Sequence, residues 1–420
     1  MKTDFTYGNV FKQLVYFSGP IILANLLQIS FQFVDSLWVG NLLGAKALGA
    51  AAVSGTVFFT VLSFVLGVNN AALTILAQQK GKGDKKGLAS YVNAFVVLMT
   101  AMSVLLGVIG YFFTEPLLSL LQTPGNMMDL AVSYLRIHFI GIIFLFGYNF
   151  ISTVLRAVGD SQTPLRFVLL AVILNLFMDP LFISVFNLGI AGAAYATVVS
   201  QGIAFIYGVV YTVRKQLVPF SKPALPSLAE TSVILKLGVP AGLQMMVISG
   251  GSMAIMSVVN SFGESVVSGF GAVQRLDSLL ILPAMAIGTA VNSMAGQTFG
   301  SGDMERTKKI ANYGVIYVLL FMAAVSTAIF LTGYHAVRLF ISEADSAAVE
   351  RCCKGSRSDV SNFGAERDFF LGFALSVYIS IFKVAWRERH SAGHRNELYA
   401  EQPDRLFILP LREVEAPRSI

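Results

Sequence analysis

Charge is scarce in this chain. Only 13% of its 420 residues are Asp, Glu, Lys or Arg, about half the ~25% of an ordinary soluble domain. Cysteine is scarcer still: the two present, Cys352 and Cys353, are adjacent and late, so nothing before them offers a disulfide framework or a metal-ligand spacing. Four scattered histidines add no metal motif, and no Ser/His/Asp or Cys/His arrangement suggests a nucleophile, so neither an enzyme nor a cofactor is expected. Strict alternation of apolar and polar residues is absent as well, which excludes a membrane β-barrel. What is present is apolar: 55% hydrophobic residues and a mean hydropathy of +0.69 exclude a water-soluble fold. The length suffices for ten to twelve helices of ~20 residues, each crossing a ~30 Å hydrocarbon core.

Apolar runs between polar breaks predict helices near 14–38, 47–77, 88–113, 130–154, 165–186, 191–213, 234–258, 265–295 and 310–331. The opening MKTDFTYGNVFKQ leads into the first run with no small-residue cleavage site, so this run is read as a retained helix. The formal charge of +6 forms no stripe for nucleic acid; the basic residues lie in short loops. Lys2 and Lys12, then Lys80, Lys82, Lys85 and Lys86, then Arg156 and Arg166, then Arg214, Lys215 and Lys222, then Arg306, Lys308 and Lys309 fall on one side. The positive-inside bias makes that side cytoplasmic. The expectation is a multi-pass protein of the inner or plasma membrane with its N-terminus in the cytoplasm.

The two halves repeat. At a shift of 219 residues, Gln78, Gly81, Gly83 and Asp84 fall on Gln297, Gly300, Gly302 and Asp303, and Asn41 and Gly44 on Asn260 and Gly263. Pro20 and Pro240 match with one residue of slippage. Six helices separate equivalent points, so the copies run in the same direction across the membrane. In transporters such parallel repeats place a cavity between two lobes that rock against each other. The predicted fold is an all-α polytopic membrane protein of two parallel six-helix repeats, the second incomplete, with nine or ten of twelve helices recognisable. The predicted domains are a first lobe over 1–213, a proline-rich cytoplasmic linker over 214–233 and a partial second lobe over 234–342. The Gly81-x-Gly83-Asp84 and Gly300-x-Gly302-Asp303 loops lack the strand and Lys-Ser/Thr of a phosphate-binding loop and are read as turns with helix N-caps.

FSGPIILANLLQISFQFVDSLWVGNLLGAKALGA, the RAVGDSQTP loop, NLFMDPLFI and GQTFGSGD, in this order over residues ~10–342, resemble the multidrug and toxic compound extrusion (MATE) family. The resemblance implies twelve helices in two lobes, and antiport of Na⁺ or H⁺ against amphipathic, often cationic, compounds. The partners implied are a small-molecule substrate and the lipid bilayer, with the protein a monomer. A lipid or polysaccharide-precursor flippase of the same architecture is the alternative. It would line its cavity with several basic residues, whereas Arg275 is the main one read inside the membrane.

Asp35 lies within the first apolar run, where an ionised group costs at least ~2.5 kcal/mol on insertion scales. Asn175 and Asp179, four residues apart, share a helix face, and Pro180 lacks the N–H that would bond one turn back. Asp35, Asp179 and Thr197 lie three to seven residues from the outer ends of their runs, within ~10 Å of that boundary at 1.5 Å per residue. Two acids, an amide and a hydroxyl are ligands that a hard cation accepts, and a carboxylate pair can also carry a proton. The resemblance assigns Asp35, Asn175, Asp179 and Thr197 to the cation site. The register puts Ala254 or Ile255 opposite Asp35, so cation binding is expected in the first lobe alone. Deeper in the eighth helix, Arg275 and Asp277 either line the cavity or form a structural ion pair. Met245, Met246, Met253, Met256, Met285 and Met294 crowd the seventh and eighth helices. Met253 and Met256 are the candidates for an adaptable cavity wall, with ordinary packing the alternative.

After Ser342 the composition changes. Residues 343–420 hold 11 Lys+Arg and 12 Asp+Glu, 23 of the chain's 54 charges. The stretch 369–386, containing Lys383, is a marginal tenth span, and the repeat's partner for Gly159, Asp160 and Pro164 is missing near position 375. The expectation is a frameshifted or otherwise foreign reading of the end of the gene, with a disordered regulatory tail as the alternative; a foreign end would make a non-functional truncated family member a further alternative for the whole chain.

Overall fold

The computed structural model describes residues 4–121, 123–219, 224–260 and 264–338, with side chains described except at 252–254, 256–260, 264–280 and 328–338. The chain divides into two units, Met1–Asp359 and Val360–Ile420; every described residue belongs to the first. The expected marginal span at 369–386 and both cysteines lie outside the described residues. Among the described residues there are nine α-helices: α1 (Val10–Leu43), α2 (Ala45–Gly81), α3 (Lys85–Leu120), α4 (Gly125–Ala157), α5 (Gln162–Pro180), α6 (Gly189–Arg214), α7 (Leu228–Asn260), α8 (Glu264–Gly300) and α9 (Met304–Arg338). Eight helices among them are long and apolar enough to cross a membrane.

Most of the helices run several residues beyond the apolar cores read from hydropathy, and several of their ends are held by polar caps. Gly83, Gly159 and Gly302 adopt φ of +71°, +90° and +84°, a left-handed conformation that ends a helix cheaply when no Cβ is present. An aspartate follows each and caps the next helix. Asp84 accepts from the backbone N–H groups of Lys86 and Gly87 at 3.0 and 2.9 Å, Asp160 from those of Gln162 and Thr163 at 3.1 and 3.0 Å, and Asp303 from that of Arg306 at 2.9 Å. The two GxGD loops are turns and N-caps. The start of α7 differs from the sequence reading: it begins at Leu228 instead of near 234, shortening the connection from α6. Ser227 and Glu230 form a capping box, with Glu230 N–H donating to Ser227 Oγ at 3.2 Å and Ser227 N–H to Glu230 Oε2 at 3.1 Å.

Helix α4 is the centre of the first half, packed against α2, α3 and α6, and α2 in turn faces α7 and α8. Small residues allow the approach, as expected where lipid provides no hydrophobic drive between helices. The two halves meet most closely where the repeat predicts equivalence. A Cβ on Gly81 would sit 1.9 Å from the Gln297 carbonyl oxygen, and one on Gly300 would sit 2.1 Å from that of Gln78. These reciprocal contacts obey the 219-residue register, so the pseudo-symmetry axis passes through the crossing of α2 and α8.

Candidate functional site

Helix α5 presents Asn175 and Asp179 on one face, one turn apart. Asn175 Nδ2 donates to Asp179 Oδ1 at 2.9 Å and, at 3.4 Å, to Thr197 Oγ1 on α6. All three are buried, Asp179 completely. The regular ladder ends beside them: Pro180 has no N–H, and the chain passes into a π-helical turn over Leu181–Val185, with Phe186 N–H bonded to Leu181 O at 3.0 Å. Such turns recur at functional sites. Asp35, half-buried on α1, is contacted by Tyr134 of α4, whose hydroxyl donates to Oδ2 at 3.5 Å. Asp35 and Asp179 are near enough to feel each other's charge, and Tyr134 lies within the field of both. The structure thus brings Asn175, Asp179 and Thr197 into one hydrogen-bonded cluster, with Asp35 beside it at a similar depth.

Three oxygens in this group have no hydrogen-bond partner although they are enclosed: Asp35 Oδ1, Asp179 Oδ2 and Asn175 Oδ1. Buried polar atoms are paired as a rule, because an unpaired one forfeits its hydration. Carboxylate and amide oxygens accept, so a cation, a proton or a donor such as a water O–H would satisfy them. An oxygen-only set of two acids, an amide and a hydroxyl fits a hard cation.

Asp35 and Thr197 also line a cavity of about 670 Å³. Its walls carry an aromatic cluster, in which the His138 ring lies 4.6 Å from that of Tyr134 and 4.9 Å from that of Phe58. Gln28, Gln32 and Gln201 add neutral polar groups, and Ser249 of α7 brings in the second half. The side chains of Arg275, Asp277, Met253 and Met256 lie outside the described residues. Met294, in contrast, is fully buried in the core between α1 and α8.

Sequence reading missed Tyr134, His138 and the glutamines. It also took Arg275 as the main basic residue inside the membrane, and this is corrected: Arg136 lies within the α4 span. Arg136 and His138 are ionisable residues in an apolar run, a signal of the same kind that singled out Asp35.

Most of the cavity-lining residues lie in the half of the bundle away from the basic loops, while Leu145 and Tyr148 of α4 and Val168, Ala171 and Val172 of α5 reach past the middle. Among the described residues the opposite, lysine- and arginine-rich end is closed by contacts between the two halves. There Gln297 Nε2 donates to Ala157 O at 2.7 Å, Ser293 Oγ to Arg156 O at 2.6 Å, and Thr74 Oγ1 to Asn292 Oδ1 at 3.0 Å. Arg306, at the start of α9, clamps the segment leading into α1, donating to Phe5 O at 2.5 Å, Gly8 O at 2.9 Å, Tyr7 O at 2.8 Å and Gln13 Oε1 at 2.9 Å.

A family model described as MatE matches residues 20–181 and 240–351. The chain is 66% identical over 345 residues to the probable multidrug resistance protein YpnP of Bacillus subtilis (strain 168), covering 82% of this chain and 78% of that protein. It is 30% identical over 347 residues to the probable multidrug resistance protein YoeA of the same organism, covering 80% of this chain and 75% of that protein. A solved structure described as the outward-facing conformation of a multidrug resistance MATE family transporter shares the fold. It matches with a TM-score of 0.76 at 24% identity, over 82% of this chain and 78% of that one.

Proposed function

Because the chain belongs to the MATE family, we propose that it is a secondary antiporter that exports amphipathic, often cationic, compounds in exchange for Na⁺ or H⁺. The coupling ion binds at Asp35, Asn175, Asp179 and Thr197. The observation that carries this reading is the set of three enclosed, unpartnered oxygens on Asp35, Asp179 and Asn175. The names of the two Bacillus relatives support the class of substrate.

Exchange requires that ion and substrate oppose each other's binding. A shared wall supplies the opposition. Asp35 faces both the coupling group and the aromatic cavity, so its single negative charge serves either a small cation or the positive end of an amphipathic compound. Phe58, Tyr134 and His138 offer ring faces for the apolar body. With the basic loops on the cytoplasmic side, the conformation described is closed towards the cytoplasm. The return step must part the α2–α8 crossing and free the α1 segment held by Arg306.

The test is efflux of a fluorescent organic cation from proteoliposomes made with this full chain, under an imposed Na⁺ or H⁺ gradient. Efflux driven by one gradient and lost in Asp35→Asn, with membrane insertion unchanged, is expected. Unchanged efflux in Asp35→Asn removes that residue from the mechanism, and no efflux under either gradient overturns the assignment for this chain.

A further inference from the structure

A second cavity, of about 510 Å³, opens on the far side of α4 from Tyr134 and His138, between α3 and α6. None of the described residues of α7–α9 lines it. Ile140 and Tyr195 at its edge are 65% and 43% exposed, which on a membrane span means facing lipid. A purely apolar surface is expected there, yet the lining includes Arg136, Glu115, Asp129, Ser133 and two tyrosines, Tyr111 and Tyr195.

Arg136 is the unusual member. Its guanidinium lies 5.3 Å from the centre of the Tyr111 ring, but its Nε is enclosed with no hydrogen-bond partner. Neither Glu115 nor Asp129 forms an ion pair with it; among the described residues the only ion pair is Lys309–Glu305. A guanidinium at membrane depth without a protein anion is costly, so it ordinarily pairs or reaches polar surroundings. The three charges are layered by depth. Asp129 is four residues from the start of α4 and Glu115 five from the end of α3, at the same face of the membrane. Arg136 is seven residues further along α4 than Asp129, about 10 Å deeper at the helical rise. Helical side chains lean towards their N-terminus, which directs Arg136 back towards the acids and leaves a positive group below two negative ones.

We propose that this cavity binds the headgroup of a zwitterionic phospholipid bearing a primary ammonium. Its phosphodiester is held by Arg136, and its ammonium by Glu115 and Asp129. The match is by depth and by donor count. In a phospholipid the phosphate sits nearer the hydrocarbon than the amine, as Arg136 sits deeper than the acids. A fork of N–H donors suits a phosphate, and an ammonium N–H suits carboxylates. A headgroup without the amine leaves the acids facing a net negative lipid, and a trimethylated amine cannot donate to them. Tyr111 and Tyr195 supply the amphipathic rings typical of the membrane interface, and Ile140 meets the acyl chains. The site faces away from the coupling group and does not depend on it.

The test is native mass spectrometry of the purified full chain, titrated with ethanolamine, choline and glycerol phospholipids of identical acyl chains, and with soluble glycerophosphoethanolamine. The ethanolamine lipid should be retained at roughly tenfold lower concentration than the others, the ratio corresponding to one charge-assisted hydrogen bond. Glu115→Gln combined with Asp129→Asn, both exposed positions, should bring ethanolamine and choline lipids to parity while choline-lipid retention stays unchanged. Arg136→Gln should weaken retention of all three. Equal retention of the three lipids by the unmodified chain, or an undiminished ethanolamine preference in the double variant, overturns the proposal. Binding of the soluble headgroup as tightly as the lipid overturns the membrane as its source.

Discussion

The four residues proposed to bind the coupling ion are not equivalent in their surroundings, and their substitutions should not be equivalent either. Asp179 is fully buried and shares a hydrogen bond with Asn175, whereas Asp35 is half-buried at the cavity wall with only the Tyr134 hydroxyl against it. Asp35→Asn and Asp179→Asn each remove a formal charge that the ion must see, and each should reduce gradient-driven efflux by roughly tenfold or more, about 1.4 kcal/mol of lost ion binding. Thr197→Val keeps the shape and removes a neutral ligand, so its effect should be a few-fold at most, of the order of a neutral hydrogen bond. Initial efflux rates in proteoliposomes order the three. A Thr197→Val defect as deep as those of the aspartates would place the hydroxyl at the centre of the site instead of its edge.

At the scale of the helices, stability and gating rest on different contacts. Asp160 is buried and holds the start of α5 with two backbone hydrogen bonds and a third, at 2.7 Å, from Thr163 Oγ1. Asp160→Ala should cost about 2 kcal/mol, the upper end for a helix cap, read as a lower thermal midpoint in detergent. Gly81 acts between helices. A side chain there meets the Gln297 carbonyl within 1.9 Å, so Gly81→Val must part α2 from α8. With Cys352 and Cys353 replaced by serine, Ala77→Cys is a buried reporter at this crossing. Its maleimide labelling should quicken by roughly tenfold when Gly81→Val is added, as the sealed state loses about 1.4 kcal/mol of its advantage. Gly300→Val, the equivalent position of the repeat, should act alike. Labelling that stays slow in both variants would mean that the crossing relaxes without opening.

For the whole molecule, the described contacts between the two halves at the basic end are asymmetric. The 219-residue register places Gly87 opposite Arg306, so the clamp on the segment before α1 has no counterpart in the first half. Removing it by Arg306→Ala should favour opening at the basic end and quicken labelling of the same Ala77→Cys reporter without altering insertion. The last fifth of the chain raises a different question. We propose that residues 343–420 are read from a shifted frame. Translation of the other two frames from codon ~342 is expected to yield three apolar spans with a Gly-Asp-x-x-x-Pro loop. If neither frame does so, the tail has another origin.

Much of this was legible in one dimension. Hydropathy reports how each residue stands towards water or lipid, so membrane class, helix order and repeat register needed no coordinates. Asp35 and Asp179 were conspicuous for the same reason: an acid in an apolar run is costly wherever it faces. Tertiary structure decided what depends on pairs of distant residues. The glycines of the GxGD loops read locally as turns, yet Gly81 and Gly300 are there because two helices 219 residues apart cross at them. Nothing along the sequence singles out Tyr134, whose hydroxyl α4 places against Asp35. Arg136 and His138, two residues apart, are turned by the helical period to opposite faces of α4, one to lipid and one to the cavity. Which end of the molecule is sealed also belongs to the tertiary structure, because a seal is a set of contacts between helices, and composition along a single helix carries no record of its partner.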